Sequence, residues 1–157
     1  MSPDNLHYQK QQKYQENEIL EHAAEILANR YVRGDALCNP GATKEYVRFK
    51  LASAEHEVFA LLMLDNQHRV IEFKPLFQGT IDSASIYPRE VVKTVLEANA
   101  AAVILAHNHP SGDPTPSQAD KRITRKLIDT LALIDVRVLD HIVVGESSVS
   151  FAEKGWV

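Results

Sequence analysis

The chain has little cysteine and no long apolar run. Its 157 residues include a single cysteine, Cys38, so an internal disulfide is impossible and nothing favours an oxidising compartment. The two longest apolar runs, Val58–Leu64 and Ala100–Ala106, have seven residues each, whereas a membrane helix needs about 18. The polar N-terminus lacks the apolar region of a signal peptide. We therefore expect a cytoplasmic protein without a membrane span.

An excess of basic residues is also missing. Seventeen Lys and Arg stand against 21 Asp and Glu, which gives a formal net charge of −4. Because basic residues supply most of the affinity for nucleic acid, this balance disfavours generic DNA binding. Hydrophobic residues make up 45% and charged residues 24% of the chain, and these values exclude a disordered or collagen-like protein.

The N-terminal third is predicted to be helical after a polar start. Residues 1–16 are rich in Gln, Lys, Asn and Asp, and we expect them to form a flexible arm. Residues 17–56 then form a helical leader with two helices. The first has an apolar face and the second covers Ala42–Leu51. The residues of that apolar face are Leu20, Ala23, Ala24, Leu27 and Tyr31.

The rest of the chain shows strand and helix patterns in turn. An antiparallel hairpin is predicted first, followed by a helix that begins at Pro88 and a short buried strand. A loop with three prolines comes next, and Ser117 with Asp120 then has the form of a capping box that opens a helix. The predicted strands are Val58–Leu64, Arg69–Phe77, Ala101–Ala106, Val136–Val144 and Val149–Phe151.

Three potential metal ligands lie where the short buried strand gives way to the loop and helix. In extended backbone His107 and His109 point to the same side and can present both imidazoles to one ion. Ten residues separate His109 from Asp120, enough for the loop to bring the carboxylate to the same ion. Two imidazoles and one carboxylate leave a fourth tetrahedral position open, as in catalytic zinc sites.

Hydrolysis of an amide also needs a base that is not a ligand of the metal. Glu57, at the start of the first buried strand, is the candidate, and Glu55 and Glu72 are the alternatives. Ser117 is a candidate hydroxyl donor to the oxyanion of a tetrahedral intermediate. Ser117 and Asp120 can also be explained as helix-capping residues alone.

These residues resemble a known metalloprotease motif. His107-x-His109-Pro110 followed by Ser117-x-x-Asp120 is similar to the JAMM motif of the MPN superfamily, and Glu57 leads a strand as in that family. The segments HNHPSG, PSQAD, LDNQHRVI, PREVVK, LDHIVVG and SFAEKG resemble the bacterial RadC family from about Glu57 to Gly155.

The resemblance implies an α/β fold in which a central mixed β-sheet is flanked by helices, similar to the cytidine deaminase fold. It implies a RadC-like MPN domain over residues 57–157 with zinc held by His107, His109 and Asp120. Glu57 would be the general acid and base, Ser117 the oxyanion donor, and a peptide or protein the substrate. Longer RadC-like proteins carry an N-terminal helix-hairpin-helix segment, so we expect this chain to be a short form.

Other functions compete with a zinc metallopeptidase or isopeptidase. A DNA-repair-associated nucleic-acid accessory protein and a metal-dependent nuclease are the alternatives, and a basic cluster beside Asp120 would serve either one. That cluster consists of Lys121, Arg122, Arg125 and Lys126, and it would equally suit an acidic peptide or a solvated helix face. His141 is predicted to be a hydrogen-bonded core residue, Asp113 a turn former, and Cys38 is not expected to be a catalytic thiol.

Overall fold

The computed structural model describes residues 3–32, 39–80 and 85–157. In these ranges two helices come first, and a strand pair, a helix, a strand, a helix and a second strand pair follow. The helices are α1 (Pro3–Val32), α2 (Pro40–Leu51), α3 (Pro88–Glu97) and α4 (Gln118–Ala132). The strands are β1 (Val58–Leu64), β2 (Val70–Gln78), β3 (Ala102–Asn108), β4 (Arg137–Val144) and β5 (Ser148–Ser150).

The strands form one mixed sheet with the order β2-β1-β3-β4-β5. β3 is the central strand, and it pairs antiparallel with β1 and parallel with β4. The outer pairs β1–β2 and β4–β5 are antiparallel. The predicted hairpin, the mixed sheet and the α/β class are confirmed.

Helices cover both faces of the sheet, and β1 is accordingly apolar at every position. Phe59 and Leu61 pack with residues of α3 and α4 in one cluster. Leu62 and Leu64 point to the opposite face and pack with residues of α1 and α2 in a second cluster. Successive residues of a strand face opposite sides, so a continuous apolar run is what a sheet covered on both sides requires. Residues of α1 and α2 thus supply one of the two covering layers.

The N-terminal segment differs from the prediction. A flexible arm was expected over residues 1–16, but residues 3–16 form the first half of α1. Their described side chains are all exposed. The first half-buried side chain is that of Asn17, just beyond this segment. Gln, Lys and Glu favour helices intrinsically, so a polar segment that buries little can still continue a helix that is anchored further along. The anchor is the buried face around Ala24 and Leu27.

The strand that carries the histidines is also longer than predicted. It was expected to end at Ala106, but β3 continues through Asn108. The reason is that backbone partners exist on one or both sides: His107 pairs with Phe59 and Val143, and Asn108 pairs with Val144.

Two sequence predictions fall on residues whose structure or side chain is not described, and a third concerns membrane spans. Cys38 lies outside the described residues, as does the side chain of Tyr31. Among the helices of the described part, no segment has the length and apolarity needed to span a membrane.

The loop after β3 is held against the β4–β5 turn. His109 N–H donates to the Val144 carbonyl oxygen (2.7 Å), and Glu146 N–H donates to that of Gly112 (2.6 Å). Gly145 lies so close to this loop that a Cβ there would overlap the Gly112 carbonyl oxygen and stand 2.7 Å from its carbonyl carbon. The absence of a side chain at Gly145 therefore lets the two loops meet.

Gly145→Ala is expected to destabilise the fold by about 1–3 kcal/mol, because backbone rather than a flexible side chain must move. Chemical denaturation of the variant and the wild type measures this difference. Gly41→Ala is the matched control, since a Cβ there meets only the Asn39 side-chain oxygen at 3.2 Å. Equal stability of Gly145→Ala and wild type would show that the two loops are not packed as described.

Candidate metal centre

Two imidazoles meet at the carboxyl end of the central strand. His107 is fully buried between Phe59 on β1 and Val143 on β4. The hydrogen bond from His109 N–H to Val144 keeps the backbone paired beyond the end of β3. Both side chains therefore point to one side, and their Nε2 atoms are 2.9 Å apart.

Asp120 reaches the same point from the first turn of α4. The predicted capping box is confirmed: Ser117 Oγ accepts from Asp120 N–H (3.0 Å), and Asp120 Oδ2 accepts from Ser117 N–H (2.7 Å). The two carboxylate oxygens face the imidazoles, Oδ1 at 3.2 Å from His107 Nε2 and Oδ2 at 3.3 Å from His109 Nε2. The cap thus fixes the rotamer that aims the carboxylate at both histidines.

Glu57 lies beside this group but further out. Its Oε1 is 4.0 Å from His109 Nε2, and ligand atoms of Glu57, His107 and His109 all lie within 4.8 Å of one another. The two alternatives named from the sequence lie elsewhere, since Glu55 pairs with Lys13 and Glu72 is exposed on β2. The structure therefore brings together Glu57 and the three predicted ligands, with Asp120 nearer to the imidazoles than Glu57.

Asn108, between the two histidines, holds the backbone on both sides of Glu57. Its side-chain oxygen accepts from Val58 N–H (2.7 Å), and its amide donates to the His56 carbonyl oxygen (2.9 Å). Glu57 itself accepts at its carbonyl oxygen from Gly79 N–H (2.9 Å). Sequence reasoning missed this residue, because an Asn in a predicted loop carries no signal of long-range pairing.

The Nδ1 atoms of both histidines are engaged away from the centre. His109 Nδ1 donates to the Asp113 carbonyl oxygen (2.8 Å), in the turn that Asp113 forms with Thr115 as predicted. His107 Nδ1 contacts His141 Nε2 (2.8 Å). His141 is buried and hydrogen-bonded as predicted, but its contact with His107 was not anticipated. The sequence shows His141 only as a single histidine in an apolar strand, and this pattern does not indicate its partner.

The side chains at this site shift one another's pKa values. Burial would raise the pKa of the Asp120 carboxyl, but the His107 and His109 imidazoles hold that pKa well below its ordinary range. The hydrogen bond to Asp120 raises the pKa of His109, and partial burial opposes this increase. Complete burial lowers the pKa of His141 well below its ordinary value, so that ring is neutral near pH 7.

The spacing of the donor atoms is that of a tetrahedral metal site. Zinc bonds of about 2.0–2.1 Å in a tetrahedron place ligand atoms about 3.3 Å apart. The His107 and His109 Nε2 atoms are 2.9 Å apart, and each lies 3.2 or 3.3 Å from a different oxygen of the Asp120 carboxylate. Imidazole nitrogens and carboxylate oxygens are common ligands of divalent metal ions, and here they converge on one point. The residues present are therefore compatible with a metal site.

Comparison with known proteins shows the family of this chain. Residues 37–156 match the family model described as a RadC-like JAB domain. The chain is 78% identical over its whole length to a UPF0758 protein of Vibrio cholerae, and it covers that protein completely. A second UPF0758 protein of the same organism is 65% identical over 96% of this chain and 95% of its own length.

A longer relative matches over part of its length. UPF0758 protein VP0184 of Vibrio parahaemolyticus is 59% identical over 140 residues, which are 88% of this chain and 62% of the relative. These names state no activity. The family match covers well over half of the chain and contains all four residues of the centre. The chain belongs to the RadC family, and residues 37–156 are its RadC-like JAB domain.

Proposed function

We propose that this protein is a zinc-dependent hydrolase of peptide or isopeptide bonds. The observation that carries the proposal is the convergence of two imidazole nitrogens and one carboxylate at ligand spacing, with a second carboxylate just outside. His107, His109 and Asp120 would hold the zinc. The ion supplies Lewis acidity, which polarises a carbonyl group and acidifies a water near neutral pH.

The proposed role of Glu57 is proton transfer. Its carboxylate lies 4.0 Å from His109 and is 19% exposed, so it can reach both the centre and an incoming substrate. In the proposed reaction Glu57 takes the proton of the attacking water and returns it to the leaving amine. The two side-chain hydrogen bonds of Asn108 hold the backbone on both sides of Glu57 during both transfers.

The proposed role of Ser117 is to donate a hydrogen bond to the substrate oxygen. Its side chain lies at the exposed start of α4, and its backbone N–H is bonded to the same Asp120 oxygen that faces His109. The Ser117 hydroxyl oxygen accepts from Asp120 N–H, which leaves its proton available as a donor. We assign this proton to the oxyanion of the tetrahedral intermediate.

Purified wild type is expected to contain about one zinc per chain, and His109→Ala and Asp120→Ala close to none, because each removes one of only three protein ligands. Elemental analysis after dialysis measures the zinc content. His22→Ala is the matched control, since His22 is exposed on α1. Equal zinc in wild type and His109→Ala would contradict the proposed ligands.

Glu57→Gln is expected to keep the zinc but to lose hydrolysis of peptide or isopeptide substrates by about 10²–10⁴-fold, because the amide cannot accept a proton. Zinc content and turnover are measured on the same preparation. If Glu57→Gln lost its zinc while Asp120→Ala retained it, Glu57 would be a ligand and the roles of the two carboxylates would be exchanged.

The nucleic-acid alternatives depend on the basic cluster of α4, two members of which line a cavity beside Trp156. The Lys121 ammonium lies 4.2 Å from the centre of the Trp156 ring, and both residues line a cavity of ≈ 340 Å³ together with Arg125. Arg122, Arg125 and Lys126 are exposed. A solvated helix face accounts for this exposure as well as a nucleic-acid contact does.

Binding to duplex and single-stranded DNA is expected to be no tighter than about 10⁻⁴–10⁻⁶ M at physiological salt. A fluorescence titration across a salt series tests this, since Trp156 is the single tryptophan and reports on its own cavity. Submicromolar binding that is lost in Lys121→Ala/Arg125→Ala, but not in the equally charged Arg122→Ala/Lys126→Ala, would favour the nucleic-acid function instead.

A further inference from the structure

A chain of hydrogen bonds, here called the relay, connects His107 to Asp120 through the buried side chains of His141 and Thr124. His141 on β4 is completely buried and Thr124 on α4 is 2% exposed. His141 Nε2 lies 2.8 Å from His107 Nδ1, and its Nδ1 lies 2.6 Å from Thr124 Oγ1. Thr124 Oγ1 in turn lies 2.6 Å from the Asp120 carbonyl oxygen. Two residues that face no solvent thus join two of the proposed ligands.

The directions of these hydrogen bonds follow from the donor inventory. A carbonyl oxygen only accepts, so the single hydroxyl proton of Thr124 points to Asp120. Thr124 Oγ1 must then accept from His141, and His141 carries its proton on Nδ1. Burial disfavours a second proton on His141, so its Nε2 is an acceptor.

The hydrogen bond to His141 determines the tautomer of His107. Because His141 Nε2 accepts, His107 must donate from Nδ1, and a neutral imidazole then has its lone pair on Nε2. That is the nitrogen that faces His109 and Asp120. The relay therefore presents a lone pair where a metal ligand is needed.

We propose that His141 and Thr124 are positioning residues that lock His107 in the tautomer able to bind zinc and fix its ring relative to Asp120. This inference rests on the proposed function in one respect, namely that His107 is a ligand. Partners of this kind raise metal affinity by holding the ligand in one tautomer and orientation. Phe151 and Phe59 pack on the His141 ring, with centroids 4.6 and 5.8 Å away, and hold its plane.

The second histidine provides an internal comparison. His109 is oriented by the Asp113 carbonyl oxygen in the loop and has no contact with the relay other than through His107 and Asp120. Its tautomer should therefore not depend on Thr124. A change at His107 without a change at His109 distinguishes the relay from a general loosening of the centre.

The first measurement uses the metal-free wild type. Long-range ¹H–¹⁵N correlation spectra at about pH 8.5, roughly two units above the ordinary imidazole pKa, identify the protonated nitrogen of each ring. We expect protons on Nδ1 of both His107 and His141. A proton on Nε2 of either residue overturns the proposal, whether or not the protein binds zinc.

The second measurement compares variants in a zinc competition titration with a chromophoric chelator. Thr124→Val keeps the shape but removes the acceptor for His141, so His107 is expected to populate both tautomers and zinc binding to weaken about 10–100-fold. Thr124→Ser restores the hydroxyl and should bind as wild type does. Thr94→Val, a change at a buried threonine of α3, is the matched control.

The outcomes separate the two proposals. If Thr124→Val binds zinc as tightly as the wild type, the relay has no positioning role and the inference is wrong. If the wild type binds no zinc, the proposed function fails, and the inference fails with it. If Thr124→Val does not fold, Thr124→Ala and the wild-type spectra supply the same comparison.

Discussion

The position of β3 at the middle of the mixed sheet is the constraint on which the centre depends. Its carboxyl end carries His107 and His109, and its neighbours on either side are β1 and β4. Pairing with β1 brings Glu57 to the histidines, and parallel pairing with β4 places His141 two positions from the partner of His107. A one-residue slip in either register would turn these side chains to the opposite face. The ladder hydrogen bonds of β3 are thus also what places the chemical groups.

Much of this arrangement is readable from the sequence, because the signals are local. The continuous apolar runs of β1 and β3 predict buried strands, and Ser117 with Asp120 predicts a helix start whose cap also orients a carboxylate. The spacing of His107 and His109 predicts that two imidazoles share a side. In each of these cases the residues that interact lie within about four positions, or within one strand and its turn.

What the sequence does not reveal arises from contacts between distant segments. Asn108 bonds to the backbone around residue 57, and His141 contacts His107 from another strand, 34 positions away along the chain. The close approach of Gly145 to Gly112 is of the same kind. Residues 3–16 illustrate a different point: their polarity predicts exposure, which is observed, but it does not exclude a helix. Exposure and secondary structure are separate properties of a polar segment.

Burial divides the centre into a fixed side and an open side. His107 and Asp120 are at most 2% exposed in their side chains, and Thr124 and His141 close them off from water. His109 and Glu57 are 16% and 19% exposed and border the side from which a substrate can enter. In a low-dielectric surrounding, charges interact strongly and their partners reorganise little, which favours firm ligand geometry. A proton-transfer group must instead reach water and the leaving group, so partial exposure of Glu57 is a requirement of the proposed reaction and not a defect of packing.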